Sequence, residues 1–394
     1  MLKIIRWAVG GLIAVLALLV FRPFALHECV NIYDWYGVLP REVLNQFEKE
    51  TGIRVHYDVF DNNESLEAKL LASNSGCDVV FPTATPYGVR QMALGVYQKL
   101  NKEWLPHLKN VEPVLAEKMR YVDERFDYFL PYYWGTTGLA FDEDRLEALL
   151  PGIAKDGYEL LFDVEILKKL SPYGVSLLQE AVDVFPALLC YSGKDWNSRS
   201  YDDLWEAIQR LEEVAVHIRR FSSSRFITDL VMGDICLAQS WSGEALKALE
   251  DAQAVGRKIR YVIPKEGADI WIDSVAIPVG APNLRNAHRF IDFLLRPDIS
   301  AQITNASKIA TMVVDAKPFI KPEILANELI FPPENVLKTL HMTAVFQGPE
   351  AEQYERVRTR VWAQIKMKRP ITYKAFQEII RQQGIRVSAA RRTA

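Results

Sequence analysis

The chain has 394 residues, 49% hydrophobic and 25% charged, a globular composition that excludes collagen-like, repetitive and disordered classes. At about 100–200 residues per domain, this length implies two lobes plus an export or anchor segment. Basic and acidic side chains number 47 and 50, and the resulting formal charge of −3 excludes the positive field that nucleic-acid binding needs.

At the N-terminus, Lys3 and Arg6 precede an unbroken apolar run from Trp7 to Phe21, closed by Arg22. A positive region followed by such a run is the pattern of a secretory signal. A bilayer-spanning helix needs about 20 apolar residues, so the run is short for a permanent anchor. Cleavage is poorly served by Phe24, Ala25 and Leu26, and Leu26, His27 and Glu28 before Cys29 lack the small residues of a lipoprotein site. Residues 1–26 are therefore expected to be a signal peptide or an uncleaved membrane anchor.

From residue 30 strands and helices alternate. Val30 to Trp35 reads as a strand, and Pro40 opens a helix whose Val43, Leu44 and Phe47 share a face before Gly52 ends it. Strand Ile53 to Val59, helix Ser65 to Ala72 and strand Asp78 to Pro82 follow. This βα rhythm predicts mostly parallel sheets with helices on both faces. Beyond Gly138 the pattern predicts helices around Val182 to Leu189 and Leu204 to Val214, and strands at Asp234 to Ala238 and Ile259 to Ile263. A turn-rich Pro264 to Asp269, a strand Trp271 to Pro278 and an amphipathic helix Ala287 to Leu295 complete the block. In the tail, Tyr373 to Arg381 reads as one more helix and Ala389 to Ala394 as frayed, so residues 370–394 form a C-terminal extension.

Enzyme signatures are missing: there is no P-loop, HExxH or GxSxG, and the dinucleotide GxGxxG does not occur outside the export segment. The six histidines and the cysteines at 29, 77, 190 and 236 form no metal-ligand spacing, so neither a metal nor a cofactor is expected. What stands out is tryptophan beside acid. Trp35 follows Asp34, Trp241 precedes Glu244 by three, and Trp271 precedes Asp273 by two, which in a strand places both side chains on one face. Such pairs suit a cationic aliphatic ligand, because indole faces attract cations by about 0.5–2 kcal/mol and a buried ammonium needs a carboxylate. Nine tryptophans also meet acids by chance, and buried tryptophan is most often core.

The ordered segments carry more weight. IYDW (Ile32 to Trp35), FEKETGIRVHYDVFDNNE (Phe47 to Glu64), PTAT (Pro82 to Thr85) and LPYYWGTTGLAFD (Leu130 to Asp142) are followed by MGDIC (Met232 to Cys236) and PKEGA (Pro264 to Ala268). IDFLLRPD (Ile291 to Asp298), IFPP (Ile330 to Pro333) and RVRTRVW (Arg356 to Trp362) close the series. Over residues 30 to 367 the chain resembles the periplasmic putrescine/spermidine-binding proteins of bacterial polyamine ABC importers. The resemblance implies an α/β, two-lobed type II periplasmic-binding fold with the ligand in the cleft between lobes that close by a hinge. Residues 29–138 plus 275–320 would form one lobe and 139–274 plus 321–369 the other, with Gly135 to Asp142 and Trp271 to Pro278 crossing between them. It implies a periplasmic monomer that binds a polyamine without catalysis or cofactor, and permease and ATPase partners on other chains. A ligand-sensing module for a different cationic amine would share this fold, since fold does not fix function.

Carried over residue by residue, the resemblance makes Trp35 the pocket floor and Thr83 a hydroxyl contact. Asp183 takes a cleft glutamate's place, Trp241 and Glu244 match a Trp-x-x-Asp pair, and Trp271 and Asp273 match an aromatic-x-Asp pair. Two departures stand out. Tyr36, Gly37 and Val38 replace a hydroxyl residue, an acid and a tyrosine, and Ile309 or Ala310 stands where a pocket tyrosine is expected. Tyr36 or Tyr87 is expected to refill that space. The family's bridge partner of Cys236 is replaced by Tyr173. Cys29 and Cys77, each six residues before a cleft position on neighbouring strands, are expected to form a disulfide.

Overall fold

The computed structural model describes residues 28–384 except 73–74, 112–116, 118, 121, 345 and 347, so residues 1–26, expected to be a signal peptide or anchor, and the tail end 389–394, expected to be frayed, lie outside the described residues. The chain opens with β1 (Cys29–Trp35), α1 (Arg41–Thr51), β2 (Arg54–Phe60), α2 (Asn63–Leu71) and β3 (Val79–Val80). Val43, Leu44 and Phe47 are the buried residues of α1, and Gly52 ends it in the left-handed conformation that glycine adopts without cost. A parallel three-stranded sheet results, in the order β2-β1-β3.

A second sheet is built on β4 (Leu130–Asp142), thirteen residues buried throughout. The sheet also holds β5 (Val175–Leu177) and β6 (Arg220–Phe221), which α3 (Ala181–Tyr191) and α4 (Tyr201–Ala215) connect along the chain. Next come β7 (Leu237–Trp241), α5 (Ser242–Ala254), β8 (Ile259–Val262) and β9 (Ala268–Val275). After α6 (Leu284–Leu294) and α7 (Pro297–Ser307), β10 (Ala310–Thr311) and β11 (Leu340–His341) join the same sheet. Strand β4 runs antiparallel to β7, β8, β9 and β10, whereas β5 is parallel to β6 and β7, and β11 to β9. Helices α8 (Pro349–Lys366) and α9 (Tyr373–Arg381) close the described chain.

The apolar side chains gather into separate cores. One joins Val30, Ile32 and Phe47 to Phe290, Phe293 and Ile299, with the Phe47 ring edge-on to Phe290 at 5.0 Å. A second joins Phe185, Leu188, Leu204 and Leu211 to Val357, Trp362 and Phe376. Strand β4 leaves the first core after Trp134 and enters the second at Leu139. The C-terminal extension is part of this packing: Phe376 is 2% exposed and stacks on Trp205 at 5.3 Å.

Two expectations are corrected. The strand expected at Asp234 to Ala238 lies at Leu237–Trp241, because the left-handed Gly233 ends the preceding helix and the N–H groups of Asp234 and Ile235 bond back to the Asp229 carbonyl. The four cysteines are unpaired, so there is no Cys29–Cys77 bridge. Strands β1 and β3 pair Ile32 with Val79 and Tyr33 with Val80, a register that carries Val30, not Cys29, opposite Cys77. A one-residue offset places the two thiols on opposite faces of the sheet. Cys77 Sγ instead contacts the Ser75 carbonyl at 3.5 Å, and Cys29 Sγ the Asn283 amide at 3.6 Å.

Candidate ligand cleft

Two strand ends and one mid-strand position bring three indoles to one cleft of about 770 Å³, open mouth included. Trp35 is the last residue of β1, held against Phe60 at 4.6 Å between rings. Trp241 ends β7, and α5 begins at the next residue without a loop. Trp271 is central in β9, and its indole crosses the cross-strand partner Gly135: a Cβ there would lie 2.3 Å from the ring and 2.6 Å from Ser242 Oγ. Gly135 is thus a requirement of the wall, since real Cβ atoms do not approach so closely.

Alternation along β9 sends Asp269, Trp271 and Asp273 to one face. Asp273 is 5% exposed, and its Oδ1 accepts from Thr83 Oγ1 at 2.6 Å. Thr83 is held in turn by Asn63, whose Nδ2 donates to Thr83 Oγ1 at 3.1 Å. Asp183 lies in the first turn of α3, where its Oδ1 accepts from Trp241 Nε1 at 3.2 Å and its backbone carbonyl from Gln239 Nε2 at 2.8 Å. Glu244 lies in the first turn of α5.

Seven of the eight residues singled out from sequence therefore line this cleft: Trp35, Thr83, Asp183, Trp241, Glu244, Trp271 and Asp273. Tyr36 does not. It lies in the turn that follows the end of β1, 71% exposed, with its ring 6.0 Å from Lys247 Nζ. Of the residues at the two departures, Val38 and Ile309 give the cleft apolar lining, while Tyr87 enters it with its hydroxyl donating to Glu64 Oε1 at 2.7 Å. Sequence reasoning missed Glu64, Glu180 and Asp269. The last was visible in the alternation of DIWID, Asp269 to Asp273, whereas Glu64 and Glu180 stand on no pattern that points inward.

Six carboxylates thus line the cleft, and among the described residues no lysine or arginine does. Burial pushes up the proton affinity of Glu180, Asp183, Glu244, Asp269 and Asp273. Asp273 rises to about 8, with Asp34 and Glu244 adding to the effect of burial, while Glu244 and Asp269 each rise to about 7. Asp183 is raised well above the ordinary carboxylate range by burial, then by Glu180 and Asp269, despite its place at a helix N-terminus. Such a site gains from a ligand that brings positive charge and apolar surface together. Among the described residues no group of three or more His, Cys, Asp or Glu is arranged to hold a metal ion, and no helix is long and apolar enough to cross a membrane.

The pattern of the bacterial extracellular solute-binding proteins matches residues 42–331. The chain belongs to that family. Among this solute-binding protein's relatives is the putrescine-binding periplasmic protein PotF of Escherichia coli, 38% identical over 92% of this chain and 98% of the relative. The putrescine/agmatine-binding protein of Pseudomonas aeruginosa is 34% identical over 87% of this chain and 93% of the relative. In structure, the solute-binding protein is similar to a putative spermidine/putrescine ABC transporter protein from Listeria monocytogenes. That likeness has a TM-score of 0.76 at 26% identity and covers 87% of this chain and 100% of that one. The α/β, two-lobed type II periplasmic-binding fold is thereby shown for the solute-binding protein.

Proposed function

We propose that this protein is the extracytoplasmic binding component of an ABC importer whose ligand is a short aliphatic polyamine of the putrescine class. One observation carries the reading: three indoles and six carboxylates share a cleft that none of the described lysines or arginines lines. A diammonium alkane presents methylenes to the indoles and exchanges the costly burial of carboxylates for paired charges. Relatives named for putrescine binding support the same class. Trp35, Trp241 and Trp271 act as walls, and Asp273 with Thr83, Glu244 and Asp183 as ionic and hydrogen-bonding contacts; Tyr36 is left outside the ligand shell.

The reading assigns binding without turnover and places the protein in the periplasm, as its relatives are named, with residues 1–26 as export signal or tether. Its partners are a permease and an ATPase on other chains, which a monomer would serve. Residues 29–138 plus 275–320 and residues 139–274 plus 321–369 are proposed as the lobes that close on the ligand. The passage of β4 from one core to the other supports that division, although Ile270, Ile272 and Leu340 pack with the first core. The test is uptake of labelled putrescine by cells lacking this chain. Restoration by the wild-type chain and not by Asp273→Asn supports the proposal; unchanged uptake in its absence contradicts it.

A further inference from the structure

Of the three cleft carboxylates that neither the family resemblance nor the named relatives assign, Glu64 accepts from the Tyr87 hydroxyl and Glu180 from Ser223 Oγ, which leaves Asp269. Asp269 lies four residues before Asp273 on β9, with Trp271 between them on the same face. At about 3.3 Å per residue the two Cα atoms stand ~13 Å apart, with one indole along the way. Across the sheet Asp269 is in register with Thr137 of β4, which is itself in register with Trp241 of β7. That row carries Asp269 toward Asp183, whose Oδ1 is already engaged by Trp241 Nε1. Asp269 Oδ1 is buried and has no hydrogen-bond partner among the described residues. At the opposite end, Tyr133 stands in register with Asp273, 3% exposed, and its hydroxyl is likewise without a partner among the described residues.

A buried ammonium presents three donors and needs several acceptors. With one Asp183 oxygen committed to Trp241, that end needs a further acceptor beside the remaining oxygen. The Tyr36–Gly37–Val38 run offers no carboxylate. We infer that Asp269 is a ligand-binding residue that joins Asp183 in holding the second ammonium of the diamine, which therefore lies along β9 across Trp271, from Asp273 to Asp269. This rests on the proposed polyamine reading and adds the ligand's direction and a specificity determinant to it. Asp269 selects for a second cationic end: a monoamine fills the Asp273 end and the indole wall without touching it.

The experiment is calorimetric titration of the purified protein and its Asp269→Asn and Asp269→Ser variants with putrescine and with butylamine, the latter by displacement. Thermal melting establishes that each variant is folded, and two variants guard against one that does not fold. The expected result is putrescine binding weakened about thirtyfold or more in both variants, as for loss of one partner of a buried charge pair, with butylamine affinity unchanged. Wild-type putrescine affinity in the folded variants overturns the inference and leaves the importer reading standing. Equal losses for both amines also overturn it, since Asp269 would then shape the cleft rather than meet the ligand. Failure of the wild-type protein to bind either amine removes the reading and the inference together.

Discussion

Asp273→Asn isolates the electrostatic part of the account from the packing part. Asparagine has the same shape and still accepts from Thr83 Oγ1, so the 2.6 Å contact is retained while the charge is removed. Loss of one partner of a buried, hydrogen-bonded charge pair costs about 2–5 kcal/mol of binding. A discount applies. The ligand-free carboxyl is raised to about 8, so at pH 7 its ionisation on binding consumes about 1.4 kcal/mol per unit. The expected loss at pH 7 is therefore about 1–4 kcal/mol, roughly fivefold to a thousandfold, and it grows as the pH is raised toward 9. Ligand-free stability should move the other way or not at all, because the variant removes an unpaired buried acid. Calorimetry at pH 7 and 9, with thermal melting of the ligand-free proteins, reads both. Wild-type affinity at pH 9, or a ligand-free variant that melts well below the wild type, refutes the reasoning.

Further outcomes follow from the same structure. Gly135→Ala drives a methyl into Trp271 and Ser242, and is expected to cost about 1–3 kcal/mol of stability and to weaken ligand binding, measurable by denaturant melts and titration. Phe376→Ala opens a cavity against Trp205 in the second core and is expected to cost about 3–5 kcal/mol in a denaturant melt while sparing ligand affinity in the folded protein. Asp273, Glu244 and Asp269 hold protons more tightly in the fold than in the unfolded chain, where carboxylates titrate near ~4. Their contribution to ligand-free stability is thus fully present at low pH and is lost as pH rises from about 4 through about 8, whereas putrescine affinity rises over the upper part of that range. Melting curves and titrations from pH 5 to 8.5 test both signs, and a pH-independent affinity contradicts the assignment. Finally, thiol titration of the denatured mature chain without reductant should find Cys29, Cys77, Cys190 and Cys236 all reactive; two missing thiols contradict the β1–β3 register.

Much of the fold was legible because local signals agreed with tertiary structure. The apolar stripe Val43, Leu44, Phe47 and the stop at Gly52 placed α1, and Tyr373–Arg381 emerged with the bounds its amphipathic pattern gave. What failed was register. The Cys29–Cys77 pairing assumed that Trp35 and Thr83 lie abreast, but register is set by long-range pairing, and Ile32 opposite Val79 shifts it by one residue. The strand before Trp241 was displaced because Asp234 and Ile235 complete a helix end. In the cleft, Trp271 and Asp273 declared themselves through the period of two, and the same period reached Asp269 one step further. Glu180 escaped notice because it precedes a helix and turns inward only through tertiary placement, where Ser223 Oγ donates to it. Tyr36 was misplaced by proximity in sequence, since β1 ends at Trp35 and the turn that begins at the next residue leaves Tyr36 exposed.

The most direct test of the central claim is calorimetric comparison of putrescine with 1,4-butanediol, which keeps the methylenes and replaces both ammonium groups with hydroxyls. Saturable one-to-one binding of putrescine, strengthening from pH 6 to pH 8, with no measurable binding of the diol, is the result expected of a cleft built from indoles and unpaired carboxylates. Equal binding of the two, or no binding of putrescine by folded protein freed of co-purified ligand, would contradict the account.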